Sequence, residues 1–207
     1  LRTAAGIASS DHLNEKQTGT RPILWTSWSD RLAARKYFSE NGLDPENTIA
    51  FHLTANSHDA YKDMLPRSDF LKVARHFIGR GFSVLMVSGS LFNSDPLRDR
   101  SYRTHLSFME ALGSPACRLF YGNCLAEAEI IRLCRALLSG ETGVAHIASA
   151  VETPKLTIAA TMFQTGLFLM TGPNDREFIV EGAEMFDQNI FPKASEVIEA
   201  MEGVLGI

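Results

Sequence analysis

Five residues, Thr142-Gly143-Val144-Ala145-His146, have the types and the spacing to handle an anionic ligand. The apolar run Ala136-Leu137-Leu138 comes before them, and a helical pattern follows to Glu152-Thr153-Pro154. A buried strand is therefore expected to stop near Ser139 and a helix to start near Thr142. Gly140 and Gly143 let the backbone turn sharply and approach a ligand closely. The first N–H groups of a helix lack internal partners and carry the positive end of its dipole, which makes them an anion site, most often for phosphate. His146 follows Thr142 by one turn, so both can face the same ligand. Taken alone, the same residues also read as an ordinary strand–turn–helix with a core or surface histidine.

Such a turn needs a strand behind it and neighbours beside it. Residues 1 to about 20 are small and polar and read as a linker or frayed arm. Ile23-Leu24-Trp25 reads as a short strand or extended approach. Ser29 or Asp30 is the expected cap of a helix running to about Asn41, with Gly42 as its stop. Thr48 to Leu53 reads as a buried strand, followed by a polar loop to Pro66. A helix from about Ser68 carries Phe70, Val73, Ala74, Phe77 and Ile78 at helical spacing. Phe82 to Val87 is a strand left by Ser88-Gly89-Ser90. Tyr102, Leu106, Met109 and Leu112 mark the next helix, Cys117 to Tyr121 the next strand, and Gly122-Asn123 a turn. Ile130, Ile131, Cys134, Leu137 and Leu138 give a helical stripe that merges into the strand before Thr142. Leu156 to Thr161 and Leu167 to Met170 read as the last strands, and Pro192 to Leu205 as a closing helix.

Apolar strands alternating with helices predict an α/β fold, a Rossmann-like open parallel sheet with helices on both faces. Ligands bind such sheets beyond the carboxyl ends of the strands. The loops after Leu53, Val87, Tyr121 and Ser139 share that edge.

The chain has room for one sizeable domain, residues 21–207 after the arm. A net charge of −4 argues against a broad nucleic-acid-binding face. Cys117, Cys124 and Cys134 lack metal-type spacing and read as reduced, in a cytosolic setting. No apolar run is long enough for a membrane span, and no signal peptide is visible. The first residue is Leu1, from which a missing natural N-terminus is expected. His52, His58, His76 and His105 have no partner spacing for a metal. His76 and His105 fall on helices and are expected at the surface.

The stretch SGETGVAHIASAVETP resembles the signature of glycosyltransferase family 9, the lipopolysaccharide heptosyltransferases. The family shows Asp-Thr-Gly, two variable residues, His, and a small-residue helix ending in Pro. Thr142, Gly143, His146, Ala148, Ala150 and Pro154 match, whereas Glu141 stands where the family usually has Asp. A carboxylate facing a diphosphate would repel it, so Glu141 is expected to turn away, to the helix N-terminus or to a basic partner. The resemblance extends over about residues 48 to 172. Lys62-Asp63-Met64-Leu65-Pro66 is similar to the family segment with a donor-binding lysine and a Trp-Pro pair; the Trp is absent and the spacing one residue longer. Gly122-Asn123-Cys124-Leu125-Ala126-Glu127 is similar to the turn that borders the nucleotide base, with backbone groups of Asn123 and Leu125 available to read a base edge. Asn93, Asp95 and Asp99 are candidates for the acidic ribose contact that the resemblance implies.

The resemblance implies one lobe of a two-lobed GT-B glycosyltransferase, the C-terminal lobe that binds the nucleoside-diphosphate sugar, ADP-heptose or similar. The N-terminal lobe, which binds a glycan or lipid-linked acceptor and supplies the general base, has no visible counterpart. An acceptor hydroxyl would attack the anomeric carbon and expel a nucleoside diphosphate. N–H groups at Thr142, Gly143 and Val144, with His146 and Lys62, would stabilise the leaving group. No cofactor and no tightly held metal is implied. A cytoplasmic protein is expected, with room for peripheral contact with the inner face of a membrane through the acceptor lobe. This chain alone should not transfer sugar. An epimerase-like relative with the same lobes, and a non-catalytic nucleotide-sugar-binding or scaffolding domain, stay open beside the transferase reading.

Overall fold

The computed structural model describes residues 6–9, 24–53, 65–89, 95–140, 142–159, 176–179 and 192–207. The strands are β1 (Gly6–Ser9), β2 (Thr48–His52), β3 (Ser83–Gly89), β4 (Cys117–Gly122), β5 (Ala136–Gly140), β6 (Lys155–Ala159) and β7 (Arg176–Ile179). The helices are α1 (Trp28–Glu40), α2 (Arg67–Gly79), α3 (Arg100–Leu112), α4 (Cys124–Leu133), α5 (Gly143–Ala150) and α6 (Ala194–Leu205).

One sheet joins the strands in the order β1-β7-β6-β5-β2-β3-β4. Every pair is parallel except β1 with β7. The chain builds β2, β3 and β4 outward in one direction, then returns to lay β5, β6 and β7 on the other side of β2. Right-handed crossovers in opposite directions put helices on opposite faces. Accordingly Phe70, Val73 and Phe77 of α2, Phe108 of α3 and Val197 and Met201 of α6 share one core with Ile49, Phe51, Val84 and Met86. Ala34 and Phe38 of α1, Ile130 and Ile131 of α4 and Val144 and Ala148 of α5 share the other with Ala50, Leu85 and Leu137. The central strands are buried on both faces, which is why Ile49-Ala50-Phe51 of β2 and Ala136-Leu137-Leu138 of β5 are unbroken apolar runs.

The sequence reading needs several adjustments. Gly6–Ser9, placed in the arm, pairs along β7 as an antiparallel edge strand; the rest of residues 1–20 lies outside the described residues, as does Leu167 to Met170. The cap of α1 is Ser27, one turn before the carboxylate of Asp30, and the two form a reciprocal capping box. The stripe through Ile130 to Leu138 is two elements. Cys134 is extended, and from Arg135 onward the backbone N–H groups are committed to the ladder, Arg135 to the Thr48 carbonyl and Leu137 to that of Pro154. The helix α3 buries Ser101, His105, Phe108 and Leu112, one step out of phase with the expected stripe. His105 is therefore not a surface group but fully enclosed. Its Nε2 accepts the Leu53 N–H at 3.0 Å, and its ring stands edge-on to His52 at 5.1 Å. Burial, and then His52, hold its pKa well below the ordinary histidine value, so it is neutral. Among the described residues no helix is long and apolar enough to cross a membrane.

Candidate functional site

β2 and β5 are neighbours from which the chain leaves in opposite directions, so the crevice beyond their carboxyl ends is the switch point of the sheet. β5 ends at Gly140 and α5 begins at Gly143, with Thr142 extended as its N-cap. The Thr142 carbonyl accepts the Ala145 N–H at 3.0 Å, while its hydroxyl makes no capping bond. The N–H groups of Gly143 and Val144 are in the first turn, where the helix offers no acceptor.

Gly143 does not have a positive φ, so the turn does not demand glycine there. Among the described residues an added Cβ would meet nothing within 4 Å. Neither backbone strain nor packing explains the residue, which leaves open space above the helix end as what glycine provides. His146, half-buried one turn on, has its pKa lowered by burial and then by the charge of Lys155, so it enters the site as a neutral imidazole.

A second feature is a set of buried polar atoms without partners. Ser88 Oγ, His105 Nδ1, Glu127 Oε1, Ser139 Oγ, Thr142 Oγ1 and Thr157 Oγ1 are buried and have no hydrogen-bond partner among the described residues. Ser139 and Thr157 are register partners on β5 and β6, and His52 is the partner of Ser139 on β2. Ser88 is near the carboxyl end of β3 and Glu127 is in the first turn of α4. Unspent polar atoms thus lie along the carboxyl edge, where a polar ligand can satisfy them. The Glu127 carboxyl is pushed up to about 7, first by burial and then by Asp99. The sequence reading gives no site role to Ser139, Thr157, Ser88, Glu127 or Lys155. The available signal was polar residues interrupting apolar strands, and a lysine opening a strand directly after Pro154. Lys155 is fully buried, with Nζ donating to Ser149 Oγ on α5.

The other expected site residues divide. Asn123 caps α4, its Oδ1 accepting the N–H groups of Leu125 at 3.0 Å and Ala126 at 2.9 Å. The Leu125 N–H is therefore spent on the cap, and Leu125 presents its side chain instead, 39% exposed. Asp95 accepts the Leu97 N–H and pairs with Arg98; Asp99 caps α3 through the Tyr102 N–H. Both have structural employment. Lys62, Asn93 and Glu141 lie outside the described residues.

The family model for glycosyltransferase family 9 (heptosyltransferase) matches residues 4–162. The chain belongs to glycosyltransferase family 9. No curated protein matches it significantly. Solved structures agree in fold. ADP-heptose LPS heptosyltransferase II of E. coli superposes with a TM-score of 0.66 at 17% identity, over 89% of this chain and 53% of that one. A family 9 glycosyltransferase of Veillonella parvula gives 0.68 at 15% identity, over 88% and 53%. An E. coli heptosyltransferase with ADP gives 0.62 at 16% identity, over 83% and 48%. This family 9 chain spans about half the length of those structures.

Proposed function

We propose that this chain is the donor-binding lobe of a glycosyltransferase that moves a sugar from a nucleoside diphosphate to a glycan or lipopolysaccharide-type acceptor. One observation carries the reading: a helix end with a family signature stands at the switch point, open above Gly143. The diphosphate meets the N–H groups of Gly143 and Val144, with the Thr142 hydroxyl and the neutral His146 beside them. Lys62 adds a cation to the leaving diphosphate. The nucleoside lies toward the start of α4, against Asn123 and the exposed side chain of Leu125. A relative solved with ADP supports adenosine diphosphate as the first ligand to try. A lipid-linked acceptor would bring the protein to a membrane surface.

The acceptor and the general base belong to the other half of the enzyme, so the lobe alone binds donor without turning it over. Calorimetric titration with ADP, UDP and GDP tests the donor site. The parent should bind at least one of them, and Gly143→Val should lose that binding because its branched side chain fills the open space, with far-ultraviolet dichroism unchanged. Equal binding by parent and variant would reduce the signature to a structural turn.

A further inference from the structure

We infer that Lys155 is a positioning residue for the donor diphosphate, a cation held beneath α5 whose charge reaches the anion site through the start of that helix. The inference rests on the donor reading above. Lys155 opens β6, beside Leu137 of β5. Leu156 and Ile158 belong to one core, so strand alternation turns Lys155 and Thr157 to the other face, the one that Val144 and Ala148 of α5 cover. There Lys155 is fully buried, and its Nζ donates to Ser149 Oγ. Ser149 Oγ donates in turn to the Ala145 carbonyl at 3.3 Å, and the Ala145 N–H donates to the Thr142 carbonyl at 3.0 Å. A chain of hydrogen bonds thus runs from a buried cation, through one hydroxyl, to the first turn of α5. That is the turn whose Gly143 and Val144 N–H groups the donor reading gives to the diphosphate. Each bond in such a chain polarises the next.

Lysine is seldom enclosed so completely, and a charge in the protein interior acts more strongly over distance than one in water. The effect reaches His146, whose imidazole is kept neutral by burial and then by Lys155. The charge that opposes a proton on His146 attracts an anion at the same helix start. Among the described residues, α5 packs against β5, β6 and α4. β5 has no ionisable side chain, and Lys155 is the one on β6. On α4, Glu129 is turned to Thr26, Arg31 and Arg132. The Glu127 carboxyl is held up by burial and Asp99, and the Cys124 thiol by burial and Glu127. Glu152 follows the far end of α5. Lys155 is thus the cation that underlies the site.

The test follows the His146 imidazole by NMR and ADP binding by calorimetry, both from about pH 5 to 8. It compares the parent with Lys155→Met, which keeps the length of the side chain without its charge. The His146 titration should move up in the variant. At the alkaline end, where His146 is neutral in both proteins, the variant should bind ADP at least roughly threefold more weakly. That deficit should shrink as pH falls, because His146 takes up its proton more readily without Lys155. A deficit equal at every pH, with the His146 titration unmoved, would make Lys155 a purely structural lysine and overturn the inference. If Lys155→Met does not fold, the parent decides alone: a His146 that titrates below the ordinary histidine value upholds the inference, and one at or above that value overturns it. A parent that binds none of ADP, UDP and GDP overturns the donor reading and this inference with it. A parent that binds, matched by the variant at every pH, overturns this inference alone.

Discussion

Glu127 and His105 are buried side chains whose ionisation opposes folding in opposite directions. The folded chain keeps a proton on Glu127 up to about pH 7, whereas an ordinary glutamate gives it up near 4.5. Between those values the folded state binds more protons than the unfolded one, so this group makes stability fall as pH rises, by on the order of 3 kcal/mol across the window. His105, held neutral well below the ordinary 6.5, acts the other way: its contribution is present above 6.5 and is lost as pH falls. Urea unfolding of the parent and of Glu127→Gln across this range should differ by a slope that the variant lacks; parallel curves would put the carboxyl in an ionised state. His146 has its own signature. It is neutral in the free protein, and a bound diphosphate would favour its protonated form. ADP affinity should therefore rise as pH falls below neutrality, and His146→Ala should flatten that profile and weaken binding by about 0.5–3 kcal/mol, roughly two- to more than hundredfold. A titration series in which the variant keeps the parent's pH dependence would exclude His146 from the site.

At the scale of elements, the helix ends are where local chemistry decides most. Ser27→Ala breaks the capping box of α1 and should cost about 1 kcal/mol in chemical denaturation. The turn from β4 to α4 depends on Gly122, where an added Cβ would come within 2.6 Å of the Phe120 ring and 3.4 Å of the Ala126 Cβ. Gly122→Ala should displace that ring and destabilise the protein by roughly 1–3 kcal/mol; an unchanged denaturation midpoint would show that the ring yields freely. Much of this was readable in advance, because buried parallel strands leave unbroken apolar runs and α2 and α6 keep a clear helical period. The strand–turn–helix at Thr142 was also legible, since small and turn-forming residues sit between two apolar patterns. The phase of α3 was not. Apolar residues at Tyr102, Leu106 and Met109 suggested one face, whereas packing against the sheet and the bond from Leu53 place His105 inward. The boundary at Cys134 was hidden because a helix stripe and a strand are equally apolar there. The polar edge was hidden for another reason: Ser139 and Thr157 become partners only through sheet register, which single-strand patterns do not encode.

At the scale of the molecule, the order of the strands creates the site. A chain that builds its sheet outward and then returns opens a crevice between β2 and β5, and the family signature occupies the turn that borders it. The chain spans about half the length of its structural relatives, and the proposed donor-lobe reading predicts no sugar transfer by it alone. Incubating residues 1–207 with a nucleotide sugar and an acceptor should therefore yield no product; turnover would mean that the lobe holds its own base. The most direct test of the central claim is to follow the amide resonances of the isotopically labelled chain as ADP is added. The helix-end account predicts that Gly143 and Val144 move furthest, with saturable shifts, while an open surface glycine such as Gly42 stays still. Saturable shifts gathered elsewhere, with Gly143 and Val144 unmoved, would contradict it.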